Sequence, residues 1–262
     1  MKKDYEIVEQ NLRQSLRFFA RANPAGQVRE APGVTMISCG KNYPLFNSAL
    51  LASEVPGEGG DLPSRITVPE CYFSALGVGW SYWICEEMLD EPARRAAAGA
   101  FHSRGLHRVV GTPGMVAGHL SKPRRQLPSL DFRRIEQAHH RIAFCHITTM
   151  VFEIPFPMSR DVYDSEAAWR SDFVGYLGYL NGEPVTSAVV VITGDVAGLY
   201  SVATLPAHQH RGLGEATVRY AIEKTRTERG IENFVLQSSR EGLGLYVRIG
   251  FCEVCRFTIY RT

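Results

Sequence analysis

The stretch with the clearest chemical potential is residues 209–216, QHRGLGEA, where two glycines stand two apart behind a histidine and an arginine. Three phosphate-binding patterns compete for it. A nucleotide-hydrolase loop ends in Gly-Lys-Ser/Thr, with the lysine on the phosphates. Here Gly214 is followed by Glu215, which excludes that pattern. A dinucleotide-binding turn needs G-x-G-x-x-G opening a helix after a parallel strand. Gly212 and Gly214 supply two of its glycines, but Thr217 stands at the third position. The pattern that remains is Q/R-x-x-G-x-G/A, which Gln209, Gly212 and Gly214 satisfy. Its physics is that of a helix start: unpaired amide N–H groups, the positive end of the macrodipole, and no Cβ to keep a pyrophosphate away. Taken alone, the stretch also fits a turn that merely enters a helix.

Other reactive residue types are scattered. Six cysteines at 39, 71, 85, 145, 252 and 255 make no disulfide framework for a chain of this length. Cys252 and Cys255 have metal or redox spacing, but FCEVCRFTIY reads as a strand, on which residues three apart face opposite sides. His139 and His146 share a helical face without a third ligand nearby in sequence, so no metal site is expected. Tyr72, Phe73, Trp80 and Trp83 form an aromatic group that reads as core.

The elements that must position these residues follow from periodicity. Residues 4–22 place Val8, Leu12, Leu16 and Phe19 at helical spacing. GVTMISCG, CYFSALGVGW and SYWICEEML read as strand-like, and PARRAAAGAFHSRG as a helix opened by proline and closed by glycine. Residues 121–130, SKPRRQLPSL, read as a solvated linker and a domain boundary. Beyond it AHHRIAFCHITTMVFEI is helical, and two strands flank Asn181-Gly182, a hairpin signal. GLYSVATL, the glycine stretch with its helix to Gly230, ENFVLQ, GLGLYVRI and FCEVCRFTIY then alternate strand and helix. The fold class is α/β with a mixed sheet. A repeat accompanies it: Phe101, Gly105, Leu106 and Val109 match Tyr246, Gly250, Phe251 and Val254 at a constant offset of 145. The chain thus reads as two tandem domains, 1–120 and 131–262.

Composition narrows the function. The formal charge is +2, with 29 basic against 27 acidic residues, too balanced for nucleic acid or an anionic membrane as main partner. No run of 18 apolar residues occurs and the first residues turn acidic rather than apolar, so a cytoplasmic location is expected.

On these motifs the C-terminal half resembles the GNAT superfamily of acetyl-CoA-dependent N-acyltransferases. LYSVATLPAHQHRGLGEATVRYAIEKTRTERG is similar to the family's strand, pyrophosphate loop and helix, and FVLQSSREGLGLYVRIGF to its next strand and LYxxxGF signature. The resemblance covers about residues 130–262; the N-terminal half resembles the degenerate partner domain of tandem members. It implies that Val202, Ala203 and Thr204 pair with the pantetheine arm, and that Gln209, His210, Arg211, Gly212, Leu213 and Gly214 take the pyrophosphate. Ser239 is placed to bond the arm, and Tyr246 to protonate the leaving thiolate. Phe101, at the matching N-terminal position, has no hydroxyl, so that half is expected neither to bind the donor nor to catalyse. The expected reaction is acetyl transfer from acetyl-CoA to a small-molecule or peptide amine, without metal. A non-catalytic acyl-CoA sensor is the alternative, because GLYSVAT offers no carboxylate as base; Glu153 is the one acid singled out nearby. Acceptor and oligomeric state are not legible.

Overall fold

The computed structural model describes residues 3–55, 61–169 and 172–262. Helix α1 (Asp4–Arg21) forms because Val8, Leu12 and Leu16 recur on one face, and all three are buried. The hairpin β1 (Gln27–Ala31) and β2 (Val34–Ser38) follows, then β3 (Ser48–Leu51). Helix α2 (Leu62–Leu76) corrects the strand reading of CYFSALGVGW, whose first six residues end this helix. Burial there follows Leu62, Ile66, Pro69 and Phe73, a helical period, and the aromatic run carries no two-residue alternation. β4 (Ser81–Cys85), α3 (Glu91–His102) and β5 (His107–Ala117) complete the N-terminal half. Phe73 stacks on Trp80 at 5.0 Å within this core, as the aromatic group led us to expect.

The C-terminal half is more elaborate. β6 (Asp131–Arg134), α4 (Ala138–Phe152) and α5 (Phe156–Tyr163) precede the antiparallel β7 (Phe173–Leu180), β8 (Glu183–Thr193) and β9 (Val196–Thr204). Asn181 and Gly182 both take positive φ, 53° and 85°, and close the expected β7–β8 hairpin. Helix α6 (Leu213–Arg229), β10 (Asn233–Gln237), α7 (Leu243–Ile249) and β11 (Cys252–Arg261) end the chain.

All these strands join one mixed sheet in the order β1-β2-β3-β4-β11-β5-β10-β9-β8-β7-β6. The halves interlock within it. β5 lies between β11 and β10, while β11 lies between β4 and β5. The β5–β11 register is self-symmetric: Cys252 faces Val116 as Arg261 faces His107, Cys255 faces Gly114 as Ile259 faces Val110, and Phe257 faces Thr112 at the centre. Each pair maps onto its counterpart at the offset of 145 seen in the sequence. Even the two bulges correspond, at Val254 and Val109. The repeat is a local two-fold, so the boundary at 121–130 divides the sequence but not the sheet.

Helix α1 spans the seam. Asn11 Nδ2 donates to Val191 O of β8 at 2.9 Å, and the Tyr200 hydroxyl of β9 donates to Asn11 Oδ1 at 2.8 Å. The approach is possible only at glycine: a Cβ on Gly198 would lie 1.8 Å from Asn11 Oδ1.

Candidate active site

A parallel pair that stops early creates the opening. β9 and β10 are paired from Val196 with Asn233 to Gly198 with Val235, and no further. Beyond Gly198, β9 bends at a bulge. Ser187 faces Ala203 and Val189 faces Tyr200, so Ser201 and Val202 oppose a single residue, and Ser201 takes φ +47°. β10 meanwhile stays with β5. The β10-side edge of β9, with Val202, Ala203 and Thr204, is left without a strand partner, the arrangement that accepts an extended chain of amides.

The glycine stretch begins where this edge ends. A short 3₁₀ turn, Pro206–His208, leads into it, and Gln209 Nε2 holds its entry by donating to Thr204 O at 3.1 Å. His210 and Gly212 take left-handed φ, +60° and +85°. Leu213, only 2% exposed, pins the first turn of α6 into the core. The first helical amide with a backbone acceptor is that of Ala216, on Gly212 O at 3.0 Å. Among the described residues, the amides from His210 to Glu215 donate to no protein acceptor. Several N–H donors are therefore bare at the positive end of a helix of 17 residues. A Cβ at Gly214 would lie 3.3 Å from Thr204 Oγ1, so that position has little room to spare. His208 and Arg211 side chains meet at 3.3 Å beside the loop.

Helix α7 closes the other flank. Leu245 reaches to 3.9 Å from the Cβ position of Gly214. Tyr246, 8% exposed, lays its ring over Gly242, whose Cβ would stand 3.0 Å from the ring and 3.5 Å from Ser238 Oγ. Burial pushes the phenol well above its ordinary pKa, so it holds its proton through the neutral range. Ser239 caps the approach to α7: its hydroxyl accepts from the Gly242 amide at 3.1 Å, leaving its own hydrogen to donate. Phe101, the counterpart of Tyr246, is fully buried and stacked on Tyr260 at 4.0 Å.

Sequence reasoning missed a polar layer that α1 brings to β9. Asn11 bonds Tyr200, and Gln237 of β10 lies beside the same phenol with its Nε2 buried and unpartnered. Glu9 adds a carboxyl that burial pushes up to about 7, against the pull of Arg13 at 2.7 Å. Its Oε1 is buried without a partner. The signal was available in sequence: Glu9, Asn11 and Ser15 sit among the apolar residues of α1 and are buried with them. Glu153, by contrast, is exposed and ends α4 at φ +55°.

Cys252 is exposed and Cys255 buried, so the two do not converge, as the strand reading required. Cys255 instead meets Cys85 and Glu87 at the β4–β11 seam, with all three donor atoms within 4.8 Å of one another. The mutual hydrogen bond and burial push the Cys85 thiol strongly up, and Glu87 also accepts from the Arg256 amide at 3.0 Å. His139 packs at a tilt against His140, and His146 stacks on Phe156, so each ring of that pair has a different neighbour.

The model of the acetyltransferase (GNAT) family matches residues 139–251, which include the splayed strands, the loop and Tyr246. The C-terminal half is a GNAT acetyltransferase domain. The [ribosomal protein bS18]-alanine N-acetyltransferase of Escherichia coli (strain K12) is 28% identical over 101 residues, 37% of this chain and 66% of that protein. A GCN5-related N-acetyltransferase from Kribbella flavida shares the fold over 97% of this chain and 95% of its own, with a TM-score of 0.72 at 19% identity. A tandem GNAT protein from the clavulanic acid biosynthesis pathway does so over 97% and 94%, with a TM-score of 0.56 at 12% identity. By this match over residues 139–251 the protein is an acyltransferase. Among the described residues, no helix is long and apolar enough to cross a membrane.

Proposed function

We propose that the C-terminal half transfers an acetyl group from acetyl-CoA to a primary amine by direct attack in a ternary complex. One observation carries this reading: bare amides at the start of α6 continue directly from the unpaired edge of β9. A diphosphate suits the first and a chain of amides the second, and the pantetheine diphosphate of coenzyme A joins both. The residues at Gly212 and Gly214 fit the group because neither places a Cβ in the cradle.

In this reading Gln209, His210, Arg211, Gly212, Leu213 and Gly214 hold the diphosphate, mainly through the backbone. Val202, Ala203 and Thr204 pair with the arm, and Ser239 donates to it. Tyr246, protonated at neutral pH, donates to the sulfur as the thioester breaks. With its pKa raised, its contribution is a hydrogen bond to the thiolate more than a freely released proton. The attacking ammonium must lose a proton, and we assign its acceptance to Glu9, whose carboxyl near neutrality matches the task. The N-terminal half, residues 1–120, lacks both the loop motif and the tyrosine and serves as the partner that supplies α1 and β5. The bacterial relative's name specifies an alanine of a ribosomal protein. For this chain the acceptor class is a small-molecule or peptide amine. Six free cysteines suit a reducing, cytoplasmic setting.

The test is release of free CoA from acetyl-CoA across a panel of amines and amino-terminal peptides. Turnover with any member supports the transferase. Tight donor binding with no turnover across the panel favours a non-catalytic acyl-CoA sensor, a reading supported by the lack of any carboxylate on β9.

A further inference from the structure

The segment between the halves is exposed at residues 121–126 and runs beside the glycine loop. The Cβ position of Gly212 lies 3.3 Å from both Arg125 Nη2 and Pro128 Cδ. Arg124 and Arg125 of this segment, Glu215 of the first turn of α6 and Arg248 of the last turn of α7 line a cavity of about 350 Å³. Three arginines therefore line one small space. Among the described residues, none of the three has a carboxylate within ion-pair distance. The one acid in the lining, Glu215, is committed to Arg219 at 2.9 Å. Like charges held around a common pocket disfavour one another, and an anion that accepts from their forks reverses the sign.

Resting on the donor site proposed above, we infer that this cavity is a second anion site, for the 3′-phosphate of coenzyme A. The loop amides accommodate the diphosphate; the arginine pocket adjoins them, lined from α6 at Glu215 and from α7 at Arg248. Coenzyme A carries its remaining dianion on the ribose, joined to the diphosphate by a short link, so adjacent anion sites match its charge pattern. Dephospho-CoA has the diphosphate and arm but nothing for the pocket. The connecting segment is then part of the donor site, and it distinguishes the two forms.

The experiment is equilibrium titration of CoA and of dephospho-CoA into the full-length wild type, R124A/R125A and R248A, with thermal unfolding of each variant as a folding control. The guanidiniums are exposed, so the fold is expected to survive. Wild type should bind CoA roughly tenfold or more tighter than dephospho-CoA, in line with charge-assisted hydrogen bonds to one phosphate. In R124A/R125A the two ligands should bind alike, at the wild-type affinity for dephospho-CoA, and R248A should lose part of the preference. Equal binding of both ligands by wild type, or a preference that survives in R124A/R125A, overturns the inference while leaving the loop reading intact. Failure of wild type to bind either ligand removes the donor site and this inference together.

Discussion

Glu9 offers the most quantitative test, because its carboxyl is both buried and titratable. Burial raises its pKa from 4.5 to about 7, and the Arg13 ion pair recovers only part of that cost. A raised native pKa means that the folded chain binds the proton more tightly than the unfolded one. Stability is therefore highest below the unfolded pKa and falls as pH rises through the window from 4.5 to about 7. At about 1.4 kcal/mol per pH unit the loss across that window is about 3 kcal/mol, or roughly 6–12 °C of melting temperature for a chain of this size. Glu9→Gln removes the titration. The variant should show a flat profile over the same range and be more stable than wild type above pH 7, by thermal or urea unfolding at pH 5, 6, 7 and 8. Parallel profiles for wild type and variant would refute the burial argument. The same variant tests the proton-accepting role: turnover should drop, and its fall below about pH 7 should disappear. Unchanged turnover with the altered stability profile would confine Glu9 to packing.

At the loop, Gly212→Val should abolish coenzyme A binding in calorimetry, since φ +85° costs a branched residue about 1–3 kcal/mol and its Cβ would crowd Arg125 Nη2 and Pro128 Cδ at 3.3 Å. Gly214→Ala meets Thr204 Oγ1 at 3.3 Å and Leu245 Cδ2 at 3.9 Å and should weaken binding far less; equal losses at both positions would contradict the cradle geometry. Tyr246→Phe should lower kcat by roughly a hundredfold with the donor KM little changed. A large KM effect at constant kcat would place the phenol in binding instead. Finally, residues 1–124 and 125–262 produced separately should each fail to give a cooperative unfolding transition, yet regain one when refolded together, because each half lacks a central strand alone. Independent folding of either piece would refute the interlocked sheet.

Much of the C-terminal half is legible without coordinates because its signals are local. Asn181-Gly182 fixes a hairpin, Gly212 and Gly230 bound α6, and QHRGLGEA declares a helix start that leaves amides bare. The short helix that carries Tyr246 was legible for the same reason, inside a short motif. The strand reading of residues 71–76 failed where aromatic composition was weighed above period, and burial at Ile66, Pro69 and Phe73 shows the helical period that decided it.

The offset of 145 between Phe101 and Tyr246 was present in the sequence, but not its meaning. That β5 and β11 exchange places to build one sheet depends on pairing between strands more than a hundred residues apart, for which no local pattern exists. Likewise, only the fold carries Glu9 and Asn11 of the first helix to Tyr200 and sets Arg125 against Gly212. Sequence specifies which backbone groups are free to bind, since propensity and glycine act over a few residues. Tertiary packing decides which distant charges face them, since burial and approach are properties of the whole sheet.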